Sequence, residues 1–279
     1  MGRIPNKPLV SVIIPAYNRG WILREAVDSV LAQDFRDFEL IVVDDGSTDN
    51  TREILRAYEP DIRVRHQSHQ GVSAARNTGI AAAAGKLVTF LDSDDLWLPP
   101  KLACQVEFFD SNPEAVICQT QELWVRNGVR VNPKKRHHKL GGMIFSRSLP
   151  LCLVSPSAVM IKKSLFETVG RFDENLPACE DYDLWLRISC RYPVHLIDRP
   201  LVIKRGGHAD QLSRAAGLDK YRIRALQKIL ESKLLSEAQC RAALKTLEEK
   251  CAIYANGCRK RGRHAEANYY EQAARKYGL

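Results

Sequence analysis

The chain lacks the glycine-rich loops with which the commoner nucleotide-binding folds hold phosphate groups. No G-x-G-x-x-G segment follows the first apolar run, and no G-x-x-x-x-G-K-[ST] segment occurs among the 279 residues. Any nucleotide bound by this protein must therefore have its phosphates held by something other than such a loop.

Long apolar runs and paired cysteines are also missing. The best candidate for a membrane span, residues 149–161, is shorter than the roughly 18 apolar residues required and is interrupted by prolines and serines. The first eight residues, MGRIPNKP, contain no apolar segment of a secretory signal. The eight cysteines include no C-x-x-C pair, which argues against a zinc knuckle or a thioredoxin-like motif. We therefore expect a cytoplasmic protein with reduced thiols.

The charge is distributed unevenly. The chain has 42 Lys+Arg and 33 Asp+Glu, a net charge of +9. Residues 1–203 carry 25 basic and 25 acidic side chains, whereas residues 204–279 carry 17 and 8. A globally basic nucleic-acid-binding protein is thereby disfavoured, and no nucleic-acid partner is expected. The basic tail is either a solvated helical surface or a peripheral contact with the anionic inner face of a membrane.

Short apolar runs alternate with amphipathic segments over the first hundred residues. The runs predict strands at 9–14, 38–43, 62–64 and 87–91. Helices are predicted between them, at 22–31, around Ile54 and Leu55, and at 71–84. This order predicts a Rossmann-like α/β fold, with a mostly parallel sheet flanked by helices. Ligands of such sheets bind beyond the carboxyl ends of the strands.

The pattern after residue 100 is mixed and ends in helices. We predict further strands at 115–120 and 157–161, a hairpin at 123–131, a basic loop at 134–139, and helices at 101–111, 163–169 and 180–192. From about Leu218 the chain reads as helix, with a capping box formed by Ser236 and Gln239. A heptad-like seam follows and favours packing on another helix, within the chain or in an oligomer; it consists of Cys240, Leu244, Leu247, Cys251, Tyr254 and Cys258.

Acidic clusters stand at two of the predicted strand ends. Asp92, Asp94 and Asp95 fall within four residues, and a divalent cation such as Mg²⁺ or Mn²⁺ would relieve their mutual repulsion. Asp44 and Asp45 follow the second strand, where a carboxylate can accept hydrogen bonds from a base or a ribose. The structural alternatives are a solvated turn for the first cluster and a helix-capping turn for the second.

Together these clusters favour a nucleotide diphosphate held through a metal ion. Tyr17 follows the first strand, where it either stacks on a planar base or is a partly buried tyrosine.

Four segments resemble a known family. VSVIIPAYNRG, FELIVVDDGSTDNT, GVSAARNTGIAAAAGKLVTFLDSDDLW and EDYDLWLRI, in this order, resemble the family 2 glycosyltransferases of the GT-A fold over roughly residues 8–210. The resemblance implies a GT-A domain at 1–213, with a nucleotide-binding half at 8–100 and an acceptor half at 101–213. A basic helical extension follows at 214–279.

The activity implied by the resemblance is an inverting, metal-dependent sugar transfer. The donor would be a nucleotide sugar, usually UDP-linked, and the transferred group a hexosyl or N-acetylhexosaminyl unit. The acceptor would be a hydroxyl of a surface glycan or of a lipid-linked saccharide, and the cofactor Mn²⁺ or Mg²⁺.

The resemblance also assigns binding residues one by one. The residues matched to nucleotide binding are Pro15, Tyr17, Asn18, Asp44, Asp45, Arg76, Asn77, Asp92 and Asp94. Among them Asp45 would read the uracil. The residues matched to the metal are Asp94, Asp92, Asp95 and His208, the last of which lies in the segment GGHADQLS. For His208 the alternative is a loop histidine without a ligand.

Glu180-Asp181 matches the family's ED motif, which implies that Asp181 is the general base. A single base is sufficient for inversion, because the acceptor hydroxyl attacks in line with the leaving nucleotide and no second nucleophilic carboxylate is required. Asp183 is expected to serve the structure. Trp97 and Trp185 fit either core packing or an acceptor platform.

Two rival functions remain. A sugar-nucleotide pyrophosphorylase has a related core, but its glycine-rich basic loop after the first strand does not resemble Pro15-Ala16-Tyr17-Asn18. The second rival is a catalytically inactive nucleotide-sugar-binding protein of the same fold.

Overall fold

The structure is a computed structural model that describes residues 7–208, 211 and 217–277, apart from the side chain of residue 274. The predicted domain boundary at 213/214 lies outside these residues, as do Ala209, Asp210, Leu212 and Ser213 of the segment that contains His208. Among the described residues, none of the helices combines the length and the apolarity that crossing a bilayer requires.

The strands of the described part form one mixed sheet. They are β1 (Val10–Ala16), β2 (Phe38–Asp44), β3 (Arg63–His66), β4 (Leu87–Phe90), β5 (Leu96–Trp97), β6 (Ile117–Arg126), β7 (Val129–Val131), β8 (Val159–Lys162) and β9 (His195–Gly206). Their order across the sheet is β3-β2-β1-β4-β8-β6-β9-β5, with β7 paired to β6.

Helices cover both faces of the sheet and form the C-terminal part of the chain. They are α1 (Leu23–Leu31), α2 (Thr51–Arg56), α3 (Val72–Ala82), α4 (Lys101–Ser111), α5 (Phe145–Ser148), α6 (Leu165–Val169), α7 (Glu180–Ser189), α8 (Leu218–Glu231), α9 (Glu237–Arg259) and α10 (His264–Arg275). Two short 3₁₀ turns lie at Lys135–His137 and Pro156–Ala158.

The directions of the strands decide where the site lies. β1, β2, β3 and β4 are mutually parallel, as predicted from the alternating βα order. β8 runs antiparallel to both β4 and β6, so β6 is parallel to β4, and β9 is parallel to β6. The carboxyl ends of β1, β2, β4, β6 and β9 therefore all face the same edge of the sheet.

Alternate residues of β1 point into two different cores. Val12 and Ile14 pack with α1 on one face, whereas Ile13 packs with α3 on the other. Every residue of β1 is buried, which confirms the predicted strand buried on both faces. Pro15 also lies inside this strand, so it is a buried strand residue rather than part of the loop that follows.

Strand β9 was not predicted from the sequence. Its segment HLIDRPLVIKRG contains Pro200 and four charged residues other than histidine, and it shows no alternation of apolar and polar side chains. Pro200 is tolerated because it pairs opposite Gln121, where the register between β6 and β9 shifts. The predicted strand at 115–120 and the first arm of the predicted hairpin are a single long strand, β6.

A third core joins the C-terminal helices to the rest of the chain. Leu247, Cys251, Tyr254 and Cys258 of α9 are buried in it, together with residues of α8 and α10. The same cluster includes Tyr182 and Leu186 of α7. These seam positions thus pack on other helices within the chain, which is one of the two predicted arrangements.

Candidate active site

Loops after the parallel strands form the site. Residues 17–20 follow β1, residues 45–50 follow β2, and residues 91–95 follow β4. The start of α7 reaches the same region, because Arg76 of α3 binds Asp92 after β4 and Glu180 of α7. The structure therefore brings together all four segments that were matched to the family: the loops after β1, β2 and β4, and the start of α7.

An exposed aromatic pair marks one end of the site. The Tyr17 ring stacks on the His69 ring with their centroids 3.8 Å apart, and Tyr17 is 40% exposed. His69 Nδ1 lies 2.9 Å from Asp45 Oδ2. Tyr17 is therefore both partly buried and partly exposed, and its stacking on a base stays a prediction. Sequence reasoning missed His69, since no feature of the segment HQSHQG distinguishes it.

Asp45 organises the loop that carries His69. Its carboxylate is only 2% exposed and accepts hydrogen bonds from Gln67 Nε2 at 2.7 Å, Gln70 N at 2.9 Å and Gly71 N at 2.8 Å. The carboxylate thus fixes the loop that leads into α3. It also contacts the His69 ring that stacks on Tyr17.

Asp44 is a buried structural group, whereas Asn18 is partly exposed. Asp44 is fully buried and is bound by Ser47 N, Arg52 Nε and His66 Nδ1. Although burial would raise the pKa of Asp44, hydrogen bonds from Ser47 and Arg52 outweigh it and lower that pKa. The Asn18 carbonyl accepts a hydrogen bond from Thr48 N at 2.8 Å. The predicted nucleotide contact of Asp44 is therefore corrected to a role in holding the loop after β2. Asn18 joins the loops after β1 and β2, and its nucleotide contact stays a prediction.

Arg76 connects the two halves of the site. Its Nη2 is 2.7 Å from Asp92 Oδ1, and its Nη1 is 2.6 Å from Glu180 Oε1. The side chain is buried, and it lies 5.1 Å from the centre of the Phe172 ring. Burial opposes its charge, but Asp92 and Glu180 together raise the pKa of Arg76 above its ordinary value. One guanidinium therefore sets the position of the 91–95 loop relative to α7.

Asn77 binds the loop before α7. Its Nδ2 donates to Phe172 O at 2.9 Å and to Glu174 Oε1 at 2.7 Å, and its Oδ1 accepts from Phe172 N at 3.1 Å. Since both ends of the amide are engaged within the protein, the predicted nucleotide contact is corrected to the positioning of this loop.

The acidic segment after β4 divides into accessible and buried carboxylates. Asp94 and Asp92 have partly exposed side chains, and Asp94 Oδ2 lies 2.8 Å from His208 Nε2. Asp95 is buried and accepts hydrogen bonds from Ser157 Oγ and Arg205 N. Burial, opposed by Lys204 and reinforced by Asp94, raises the pKa of Asp95 to about 8. Its predicted role as a metal ligand is therefore corrected to anchoring β9.

Asp94 and His208 are brought together although they are 114 positions apart in the sequence. In the described part of the chain no group of three His, Cys, Asp or Glu side chains is arranged to hold a metal ion by itself. Asp92 is bound to Arg76, so the accessible pair consists of one carboxylate and one imidazole.

The carboxylate of Asp181 stands at the start of α7. It is partly exposed, its Oδ1 accepts from Tyr182 N at 2.7 Å, and its Oδ2 lies 3.8 Å from Cys152 Sγ. No ion pair to Asp181 is present among the described residues, in contrast to the Glu180 carboxylate bound by Arg76. Cys179, which precedes the helix, adopts the left-handed conformation with φ of 61°. Sequence patterns indicated neither cysteine.

The other residues of the ED segment are buried. Asp183 pairs with Arg187 at 2.8 Å and with Lys228 of α8 at 2.7 Å, which confirms its structural role. Trp185 and Trp97 are 2% and 3% exposed, so both belong to the core and neither is an acceptor platform.

Comparison with known families agrees with this geometry. The family model described as Glycosyl transferase family 2 matches residues 11–170, more than half of the chain. The chain belongs to glycosyltransferase family 2. The predicted family is thereby confirmed.

Curated relatives of this glycosyltransferase include proteins of three bacteria. An uncharacterized glycosyltransferase of Rickettsia felis is 36% identical over 74% of the chain and 35% of that protein. The chain spans about a third of the length of the first three such relatives. The putative teichuronic acid biosynthesis glycosyltransferase TuaG of Bacillus subtilis is 35% identical, over 65% of the chain and 72% of TuaG. The β-1,3-glucosyltransferase WfgD of Escherichia coli is 32% identical, over 64% of the chain and 69% of WfgD.

Solved structures confirm the GT-A fold of the glycosyltransferase. The fragment of S. aureus TarS with residues 1–349, in complex with UDP-GlcNAc, aligns with a TM-score of 0.75 at 23% identity, over 95% of this chain and 81% of that fragment. The mannosyltransferase PcManGT of Pyrobaculum calidifontis, in complex with GDP-Man and Mn²⁺, aligns with a TM-score of 0.55 at 21% identity, over 98% of this chain and 88% of PcManGT.

Proposed function

We propose that this glycosyltransferase moves a sugar, with inversion, from a UDP-linked donor to a hydroxyl of a surface glycan or lipid-linked saccharide. The observation that carries the proposal is the Arg76 bridge between Asp92 and Glu180, which are close in sequence to the partly exposed Asp94 and Asp181. Two related proteins support it, since TarS binds UDP-GlcNAc and WfgD is a UDP-Glc-dependent glucosyltransferase for a diphosphoundecaprenol-linked acceptor.

In the proposed reaction Asp181 is the general base. It takes the proton from the acceptor hydroxyl while the oxygen forms a bond to the anomeric carbon of the donor. The bond between that carbon and the diphosphate oxygen breaks, and UDP leaves with the electron pair. The stacked Tyr17 and His69 rings would hold the base of the nucleotide. Glu180 stays paired with Arg76 and orients the start of α7.

Asp94 and His208 fit a divalent cation whose remaining ligands come from the donor. Mg²⁺ and Mn²⁺ commonly bind one or two protein groups and complete their coordination with phosphate oxygens and water. Such an ion would offset the negative charge that develops on the leaving diphosphate. The absence of a third protein ligand in the described cluster agrees with an ion that enters with the nucleotide.

The first test is substitution of the proposed base. Asp181→Asn should retain UDP affinity, because its side chain is not part of the base or phosphate site, and should lower turnover by roughly 10²–10⁴-fold. Affinity is measured by calorimetry and turnover by release of UDP from a panel of UDP-sugars. Asp61→Asn, an exposed position away from the cleft, is the matched control. Turnover of Asp181→Asn at the control level would assign the base to another group.

The second test concerns the metal. Asp94→Asn should weaken binding of UDP in the presence of Mn²⁺ at least tenfold, and should have little effect on UDP binding in EDTA. Calorimetric titrations with and without Mn²⁺ measure both. Equal Mn²⁺-dependent affinities for the variant and the wild type would contradict the metal role of Asp94. UDP binding without turnover by the wild-type chain, for every donor tried, would favour the inactive binding protein.

A further part of the proposal concerns location and domain organisation. We assign 1–213 to the catalytic domain and 214–279 to a helical extension. The lipid-linked acceptor of WfgD supports action at the inner face of a membrane, with exposed lysines of the extension such as Lys233, Lys245 and Lys260 as the contact.

A further inference from the structure

The hairpin of β6 and β7 lies at the edge of the sheet that carries the proposed site. β6 is parallel to β4, so its carboxyl end at Arg126 points the same way as the segment with Asp94. Asn127 N donates to Gly206 O at 3.1 Å, two residues before His208. The tip of this hairpin therefore adjoins the loop whose histidine contacts Asp94.

The part of this hairpin that follows Glu122, and the loop after it, are rich in cations. Between Leu123 and Phe166 the sequence contains nine Lys or Arg and no Asp or Glu. Six of the nine are exposed. Five of these six form what we call the basic hairpin patch: Arg126, Arg130, Lys134, Lys135 and Arg136. Among the described residues, none of these five forms an ion pair with a carboxylate.

The cations of the basic hairpin patch are close enough to influence one another. Burial and the charges of Arg136, Arg126 and Lys134 lower the pKa of His137, which lies among them. Like charges that lie near one another repel, and an anionic ligand would offset that repulsion. This arrangement distinguishes the patch from an ordinary solvated surface, where cations alternate with acids.

An aromatic ring lies in the middle of the basic hairpin patch. The Trp124 ring is partly exposed, and its centroid lies 5.3 Å from that of His137 and 5.9 Å from Arg126 Cζ. Trp124 Nε1 donates to Glu122 at 3.1 Å, which fixes the ring plane. Aromatic faces bind the apolar faces of sugar rings, and neighbouring guanidinium groups bind carboxylates or phosphates.

The same segment leads from the patch to the proposed base. Lys139, at the end of the basic loop, is buried and lies 3.2 Å from Glu122 of β6 and 3.2 Å from Ser155 Oγ. Cys152, three residues before Ser155, approaches Asp181 to 3.8 Å. The protein segment from Lys139 to Cys152 thus connects the patch with Asp181, and the buried contacts of Lys139 anchor it. A glycan bound on the patch would extend toward Asp181 along this segment.

We propose that the basic hairpin patch binds the acceptor, and that the acceptor is an anionic glycan carrying carboxylate or phosphate groups. This inference rests on the proposed glycosyl transfer and names the class of its acceptor. The Trp124 ring holds a sugar unit, and the surrounding cations hold the acidic groups on either side of it. The acceptor end then reaches Asp181 and Asp94 at the same edge of the sheet.

The test measures binding of two probes, oligogalacturonate for carboxylates and linear inorganic polyphosphate for phosphates. The full chain and its Arg130→Gln/Lys134→Gln/Arg136→Gln variant are titrated by following tryptophan fluorescence, with Trp124→Phe to assign the signal. The control Lys233→Gln/Lys245→Gln/Lys260→Gln removes the same charge from the basic tail, at exposed positions without carboxylate partners. UDP affinity is measured for every variant, because it reports on the proposed function separately.

We expect the hairpin variant to weaken binding of at least one probe tenfold or more while UDP affinity is unchanged. The tail control should stay within twofold of the wild type. The inference is overturned if the tail control loses binding and the hairpin variant does not, or if neither probe binds. It is also overturned if the hairpin variant instead loses binding to single-stranded DNA or to vesicles with 30% phosphatidylglycerol while both glycan probes are unaffected. If the wild type does not bind UDP, the proposed function is rejected. The probe titrations would still decide whether the basic hairpin patch binds an anionic glycan.

Discussion

At the scale of single residues, position in the fold separates chemical candidates from structural ones. Asp92, Asp94 and Asp95 are nearly adjacent in sequence, yet Asp92 binds Arg76, Asp94 contacts His208 and Asp95 is buried against Ser157. Strand-end carboxylates were predictable from the motif. Their division of roles was not, because it depends on Arg76, Ser157 and Arg205, which come from three other parts of the chain.

Lys101 shows how a single buried charge links stability to pH. Its side chain is fully buried, and its Nζ donates to Thr89 Oγ1 and Gln105 Oε1 and lies 3.8 Å from the centre of the Trp97 ring. Burial lowers the pKa of Lys101 to about 7, well below its ordinary value. No carboxylate among the described residues pairs with it.

We predict that Lys101 makes the protein more stable as the pH rises from 7 toward 10. In this window the unfolded chain binds the lysine proton and the folded chain does not, so raising the pH favours folding by up to about 4 kcal/mol. Below pH 7 Lys101 is protonated in both the folded and the unfolded chain, so it no longer contributes to the change of the free energy of unfolding with pH. Lys101→Met should abolish it, whereas the exposed Lys86→Met should not. Urea midpoints measured at each pH unit test this, and equal slopes for wild type and Lys101→Met would contradict it.

At the scale of elements, sequence patterns such as caps, helical periodicity and turn residues predicted helices and hairpins correctly where tertiary packing favoured the same structure. The capping box of Ser236 and Gln239 is present at the start of α9. The helix at 101–111 and the hairpin around Asn127 are also confirmed. β9 could not be predicted, because its pairing with β6 and β5 stabilises a segment that has charged residues and a proline in its interior.

The seam of α9 gives an element-scale prediction. Leu247 is fully buried in the third core, whereas Leu244, one turn earlier on the same seam, is partly exposed. Leu247→Ala should therefore lower the free energy of unfolding by roughly 2–5 kcal/mol, and Leu244→Ala by clearly less. Urea denaturation followed by circular dichroism measures the difference. Equal losses for the two variants would show that the seam packs differently from the structure.

At the scale of the whole molecule, the basic tail is not an appendage separate from catalysis. Helix α8 is bound to α7 by Lys228, which pairs with Asp173 at 2.5 Å and with Asp183 at 2.7 Å. The third core contains residues of α7 and α8 together. Helix α7, which carries Asp181, therefore depends on the C-terminal helices for part of its packing.

We predict that a chain ending at residue 213 will not fold into a stable catalytic domain. Removal of the tail would expose Phe145, Leu149, Tyr182 and Leu186, all of which are at most 2% exposed in the full chain. The apolar surface so uncovered should cause aggregation, and α7 should lose protection against amide hydrogen exchange. Neutralising the tail with Lys233→Gln/Lys245→Gln/Lys260→Gln should by contrast leave the melting temperature within about 2 °C of the wild type, since surface substitutions away from such packing change little. A cooperative transition at the wild-type temperature for residues 1–213 would instead show that the catalytic domain is independent. The excess positive charge would then lie on a separable module, and deletion of that module would be a valid test of membrane contact.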